Sequence, residues 1–170
     1  PAPIVRFDPL ILDLNHDGVI NTLPVGSNVF FDLDGNGFSE NTSWVQGTDG
    51  FVVLDINENG KIDNGAELFG TDTILPDGTK ASDGFTALAQ HDSNNDLIID
   101  KNDQIFKKLK VWKDLNQDGV SQSNELFSLV DLNINSILLN KQNLNIIDHN
   151  NVLHAFKGGF TQNIIENGEI

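Results

Sequence analysis

Five short stretches of this sequence place oxygen-bearing side chains at alternate positions and follow them, in four cases, with a glycine. They are Asp13-Leu14-Asn15-His16-Asp17-Gly18, Asp32-Leu33-Asp34-Gly35-Asn36-Gly37, Asp55-Ile56-Asn57-Glu58-Asn59-Gly60, Asp92-Ser93-Asn94-Asn95-Asp96-Leu97 and Asp114-Leu115-Asn116-Gln117-Asp118-Gly119. Side chains at positions 1, 3 and 5 of a tight loop converge on one point. Glycine at position 6 permits the sharp turn, and the carbonyl of position 7 adds an oxygen. Such an oxygen cage suits a hard divalent cation, calcium above all. A single hexad is a weak signal, because Asp-Asn-Gly turns are common and fold without metal. Five in matching phase predict a set of calcium loops.

The five copies differ. Residues 114–125 carry the whole EF-hand pattern: Asp114, Asn116, Asp118, the carbonyl of Val120, and a bidentate Glu125 at position 12. The loop at Asp92 offers Asp92, Asn94, Asp96, the carbonyl of Ile98, Asp100 at position 9 and Asp103 at position 12. There Leu97 replaces the turn glycine, which predicts a strained or weaker site. The loop at Asp55 offers Asp55, Asn57, Asn59, the carbonyl of Lys61, and Asp63. Its Glu67 falls one residue later than an EF-hand glutamate, so a bulge at Asn64-Gly65 is required. The loop at Asp32 has Asp32, Asp34, Asn36, the carbonyl of Phe38 and Glu40, with no acid at position 12. The loop at Asp13 has Asp13, Asn15, Asp17, the carbonyl of Val19, and only Asn21 at position 9. These last two are expected to be open turns that borrow a ligand or water from elsewhere.

Short elements must carry these loops. Leu10-Ile11-Leu12, Asn28-Val29-Phe30-Phe31 and Phe51-Val52-Val53-Leu54 read as strands that run straight into acidic loops. From Gly84 the apolar spacing changes to three and four: Phe85, Leu88, Ala89; Ile105, Phe106, Leu109; Leu126, Phe127, Leu129, Val130. This predicts short helices, one of them over 102–110, shared by the Asp92 and Asp114 loops. Ile99 at position 8 suits the strand that couples paired loops, and Ser121 at the equivalent place is a departure. Ile137-Leu138-Leu139, Asn145-Ile146-Ile147 and residues 152–156 read as strands again, with a hairpin turn over 148–151. The expected class is therefore α+β, with short strands at both ends around a central EF-hand-like helical pair. Nothing marks a linker. The expected divisions are a flank over 1–8, one module over 9–160 and a weakly patterned tail over 161–170.

Composition narrows the function. The chain has 19 Asp and 6 Glu against 9 Lys and 1 Arg, a net charge of -15 and a pI near 4.3, which argues against nucleic acid and anionic membranes as partners. No apolar run is long enough for a membrane span. Without cysteine there is no disulfide framework, thiolate metal site or cysteine nucleophile. With no Met and Pro at its start, the sequence reads as a piece of a longer polypeptide. The 11 Phe and 2 Trp, with 38% hydrophobic residues, mark a globular chain, in which Trp44 and Trp112 are expected to be core anchors. The four His show no metal spacing, and there is no Gly-x-Ser-x-Gly elbow. Five doubly charged ions would offset ten of the fifteen net negative charges. Without them, each pair of neighbouring carboxylates costs about 1–4 kcal/mol, against a net stability of about 5–15 kcal/mol. Metal binding and folding are thus expected to be one reaction. Affinities of about 0.1–1 mM are typical of extracellular calcium modules and would keep the chain loose in a calcium-poor cytosol.

Three blocks carry a resemblance. They are Phe7-Asp8-Pro9-Leu10-Ile11-Leu12-Asp13 with its loop, residues 55–70, and Val111-Trp112-Lys113-Asp114 with its loop. In this order they resemble the self-processing module of large secreted RTX proteins of Gram-negative bacteria, the FrpC type, over roughly residues 7–160. The resemblance implies calcium-dependent folding and cleavage of an Asp-Pro bond at the module's N-terminal edge. It also implies transfer of the new C-terminal aspartate to a lysine of another chain, and a secreted or cell-surface setting. The carried-over scissile pair is Asp8-Pro9, the one Asp-Pro in the chain; the other placement would make Pro1 itself the new terminus.

Asp8 cannot close the usual succinimide, because Pro9 has no backbone N–H. Its carboxyl can instead attack its own carbonyl carbon and expel the Pro9 nitrogen, leaving a five-membered anhydride open to water or an amine. Asp13 is expected to anchor the strand end that presses Asp8-Pro9 into the reactive geometry. The competing class of function is a passive, calcium-stiffened binding module, as dockerin-like repeats are.

Overall fold

The structure is a computed structural model, and residues 8–163 are described here. Four strands form the central antiparallel sheet: β1 (Ile11–Leu12), β6 (Gly50–Val53), β8 (Lys110–Trp112) and β9 (Leu126–Ser128), in the spatial order β1-β6-β8-β9. Two small pairs precede β6 in the chain. β2 (Thr22–Leu23) pairs with β5 (Trp44–Val45), and β3 (Phe30–Phe31) pairs with β4 (Glu40–Asn41). A third sheet joins β7 (Ile98–Asp100) to the long hairpin of β10 (Ile134–Ile147) and β11 (Leu153–Gln162), in the order β11-β10-β7.

The central sheet is covered on both faces, so its strands read as continuous apolar runs rather than as alternation. Val52 and Val111 point into one core, with Leu12, Leu88, Ile99, Leu109 and Ile137. Their neighbours Phe51, Val53 and Trp112 point into the other, with Val29, Phe31, Trp44 and Ile62. In this second core Trp44 lies 4.8 Å from Phe51 and 5.4 Å from Trp112, centroid to centroid, in tilted and edge-on contacts that aromatic rings favour. Both tryptophans are core anchors, as expected.

The expected α+β class with a central helical pair is overturned. Among the described residues the one α-helix is α1 (Gly84–Ala89), six residues long. The span expected to be helical over 102–110 holds only a 3-10 turn at Gln104–Lys107 and then enters β8. Asp103 stands at the N-cap of that turn, but its two oxygens accept the N–H groups of Ser93 and Asp100, so no side-chain cap forms. The spacing of Leu126, Phe127, Leu129 and Val130 is equally compatible with a two-faced strand, and pairing with β8 decides it: Leu126 packs on one core and Leu129 in the other.

The expected strands of both ends are present, as is the helix around Phe85 and Leu88. The turn between β10 and β11 is closed by Asp148, whose Oδ1 accepts the N–H groups of Asn150 and Val152. Thr161 and Gln162 continue β11. Phe7, Pro1 and residues 164–170 lie outside the described residues. Helix α1 starts at Asp83, which caps Thr86 N–H at 2.9 Å and pairs with Lys141 of β10. Lys141 also sits over the Phe156 ring of β11, so one side chain clamps helix to hairpin.

Candidate metal centres

All five hexads fold into the same loop. The position 1 carboxylate accepts the position 6 N–H at 2.7 to 2.9 Å in each: Asp13 from Gly18, Asp32 from Gly37, Asp55 from Gly60, Asp92 from Leu97, Asp114 from Gly119. The position 3 Oδ1 accepts the position 5 N–H, through Asn15, Asp34, Asn57, Asn94 and Asn116. The position 5 Oδ1 in turn accepts the N–H of position 7: Asp17 from Val19, Asn36 from Phe38, Asn59 from Lys61, Asp96 from Ile98, Asp118 from Val120. Positions 4 and 6 are left-handed in every copy, including Leu97 at φ 65, where a leucine is strained and glycine is not.

What closes each loop separates them. In the Asp114 loop Glu125 accepts the N–H groups of Leu115 (2.9 Å) and Gln122 (3.2 Å), positions 2 and 9. In the Asp92 loop Asp103 does the same with Ser93 and Asp100, while Asp100 turns its own carboxylate onto Asn102. In the Asp55 loop Glu67 takes Ile56 (3.0 Å) and Asp63 (2.7 Å), from one residue later in sequence. The expected bulge supplies that residue: Asn64 caps a 3-10 turn at Gly65–Glu67. Gly65 is needed there, because a Cβ would run into the Leu33 carbonyl.

The remaining two loops lack such an acid locally. In the Asp32 loop, oxygens of Asp32, Asp34 and Glu40 lie within 4.8 Å of one another. In the Asp13 loop, Asp49 reaches in from the turn before β6 and accepts Leu14 N–H at 3.3 Å and Asn21 N–H at 2.8 Å. Asp49 was invisible to spacing, being far outside the loop, and the one signal for it was the missing position 12 acid.

The loops are also tied together, though not in the expected pair. Ser121, at position 8 of the Asp114 loop, accepts Ile62 N–H at 2.7 Å, and Ile62 is position 8 of the Asp55 loop. Strands β6 and β8 run antiparallel, so the two loops leave the sheet at opposite ends, and this bond joins them at their eighth positions. Ile99, at position 8 of the Asp92 loop, instead pairs with Ile137 of β10. Trp44 joins the cluster from the aromatic core, its indole Nε1–H donating to Asp114 Oδ2 at 2.8 Å.

Electrostatics fit a hard cation. Burial pushes Asp114 up from the ordinary carboxylate range, with the Glu125 charge adding to it, against the donors Gly119 and Trp44. Asp49 is likewise raised, by burial first and then by the charges of Asp13 and Asp17. Asp17 is lowered by the Asn21 amide and Val19 N–H, and Asp63 by the Asn57 and Asn59 amides. Three buried oxygens of the loops, Asp13 Oδ1, Asp92 Oδ1 and Gln122 Oε1, have no hydrogen-bond partner. Buried acceptors left in this way are expensive unless something positive meets them. The donor set is all oxygen, which is calcium chemistry rather than that of softer metals.

Asp8 and Pro9 line a small cleft of about 40 Å³, with Leu33, Gly65, Gly70 and Asp72 among its walls. Leu33 is position 2 of the Asp32 loop and Gly65 is the bulge of the Asp55 loop. The next residue is fixed at both its backbone groups: Leu10 N–H donates to Phe69 O, beside Gly70, at 2.8 Å, and Leu10 O accepts the N–H of Val52 in β6 at 2.9 Å. A Cβ on Gly70 would lie 2.8 Å from the Asp8 carbonyl oxygen, so glycine is what lets that backbone approach. Asp72 in the cleft wall is paired with Lys80 at 2.7 Å.

A β-rich module of serial oxygen-lined loops is the class that this fold and these sites define. The SPM domain family matches residues 10–170, and the chain belongs to it. The Iron-regulated protein FrpA of Neisseria meningitidis serogroup C is 46% identical over 157 residues, which are 92% of this chain. The chain spans 14% of that relative's length. Both findings accord with the resemblance read from the three sequence blocks. Among the described residues no helix is long and apolar enough to cross a membrane.

Proposed function

We propose that this chain is a calcium-triggered self-processing module that cuts its own Asp8-Pro9 bond, as part of a secreted RTX-type protein. The observation that carries the reading is the cleft: Leu33 of the Asp32 loop and Gly65 of the Asp55 loop stand in its wall beside Leu68, Gly70 and Asp72, so forming those loops completes the groove that seats Asp8-Pro9. Calcium, when bound, supplies the positive charge that lets the crowded carboxylates of the loops stay together.

The chemistry belongs to Asp8. Its side-chain oxygen attacks its own backbone carbonyl carbon, forming a C–O bond and a cyclic anhydride. The C–N bond to Pro9 breaks, and the Pro9 nitrogen takes the proton given up by the Asp8 carboxylic acid and leaves as a secondary amine. Water then opens the anhydride to a C-terminal aspartate, or a lysine amine of another chain opens it to an amide. Holding the carboxyl against its carbonyl can contribute up to about 7–11 kcal/mol to such an intramolecular step. Gly70 behind the carbonyl and the two Leu10 backbone bonds beside it are what hold that geometry.

Incubation of the purified chain with calcium, followed by intact-mass measurement, tests the proposal. A product starting at Pro9, absent for Asp8→Asn, is expected. A chain that binds calcium, folds and stays whole would make it a passive calcium-stiffened module instead.

A further inference from the structure

We infer that Asp49 is the closing cation ligand of the loop that begins at Asp13; this rests on the calcium reading above. Glu125, Glu67 and Asp103 each close a loop by accepting the N–H groups of positions 2 and 9. Asp49 makes the same two bonds, to Leu14 and Asn21, which are positions 2 and 9 of the first loop. Its exposure, 1%, matches the 2 to 4% of the other three. An ionised carboxylate has about four lone-pair sites. The two N–H bonds fall on different oxygens and leave each Asp49 oxygen a free lone pair, the same arrangement as in Glu67. An independent sign of a ligand is Asp13 Oδ1, which is buried in this loop and meets no donor.

The consequence is regulatory. The other closing acids lie within a few residues of their loops, so those loops can assemble locally. The first loop can close only when the turn before β6 has come back against β1, where Gly50 pairs with Leu12 and Phe51 with Ile11. Strand β1 continues directly from Asp8-Pro9. Filling of the first loop is therefore tied to docking of the segment that holds the scissile bond, and a cation there reports a long-range contact rather than a local turn.

The test is a calcium titration of the isotope-labelled full chain by NMR, following the amides of Gly18, Gly60 and Gly119 and the side-chain carboxylate carbon of Asp49. In the unmodified chain the Asp49 carbon is expected to move with the Gly18 amide. In Asp49→Asn the calcium needed to titrate Gly18 should rise about 10- to 100-fold, the usual loss when a metal site's supporting groups are removed. Gly60 and Gly119 should titrate as before. An Asp49 carbon that stays still while Gly18 moves overturns the assignment, and this readout needs no variant to fold. A Gly18 midpoint unchanged in Asp49→Asn overturns it equally. If no glycine amide responds to calcium in the unmodified chain, the calcium reading itself fails, which is a separate result.

Discussion

Gly70→Ala, set beside a control that destabilises the fold elsewhere, separates the geometry at Asp8 from the stability of the fold. Gly70 is not among the glycines with positive φ, so alanine meets no backbone strain there. The nearest atoms it meets are the Asp8 carbonyl, with oxygen at 2.8 Å and carbon at 3.3 Å, and Pro9 Cα at 3.4 Å. Ordinary carbon contacts begin near 3.5 Å, so the carbonyl must retreat by roughly half an ångström. A misplacement of about 1 Å can cost about 100-fold in an intramolecular step, so half of that predicts roughly 10-fold slower cleavage. Overpacking should also cost about 1–3 kcal/mol of stability. The control is Gly158→Ala, whose Cβ would run into the Phe85 ring between hairpin and helix, away from the cleft. It should lower the melting temperature without slowing the cut. The assay is the first-order rate of fragment appearance at saturating calcium, beside a thermal melt of each variant. A folded Gly70→Ala chain that cuts at the unmodified rate would refute the role given to that glycine.

Three further outcomes follow from other contacts. Asp83 is held at a pKa of about 2: burial opposes its ionised form, but Lys141 and the Thr86 and Ser82 donors outweigh it. Its folded value lies below the usual one, so the pair stabilises above pH about 4, and about 2 kcal/mol should be lost as pH falls from about 4 to about 2; thermal melts against pH should lose that increment in Lys141→Met. Ser121→Ala leaves the buried Ile62 N–H without its acceptor, which should cost about 1–3 kcal/mol and weaken the Asp55 and Asp114 loops together in calorimetric titration with calcium. Leu97→Gly relieves a left-handed leucine whose side chain is half exposed, and should raise stability by about 1 kcal/mol, or about 2–4 °C in melting temperature.

Those features that were legible in the sequence are local ones. Alternating oxygens followed by a glycine specify a turn whose hydrogen bonds run between residues two and five apart, so five hexads translate directly into five loops. Even the late Glu67 could be anticipated, because Asn64-Gly65 offers both a cap and room for an extra residue. The missing pieces are long-range. Asp49 closes a loop from which it is separated by two strand pairs, and spacing carries no information about that. The Ser121–Ile62 link joins residues 59 apart in sequence, and no spacing within either loop announces it. The expected helices failed at segments of four or five residues, where a three-four spacing and a two-faced strand place the same side chains. At Leu126 the neighbouring strand made the choice.

Calcium-coupled folding is tested most directly by titrating calcium into the chelated chain while recording near-ultraviolet circular dichroism and the Asp8-Pro9 cut in the same samples. Trp44 and Trp112, packed edge-on in the core and linked to Asp114, make the signal a reporter of packing around the loops. The account predicts no aromatic signal and no cut in chelator, and both rising at the same calcium concentration. A full aromatic signal in the chelated chain, or cleavage before that signal appears, would contradict it.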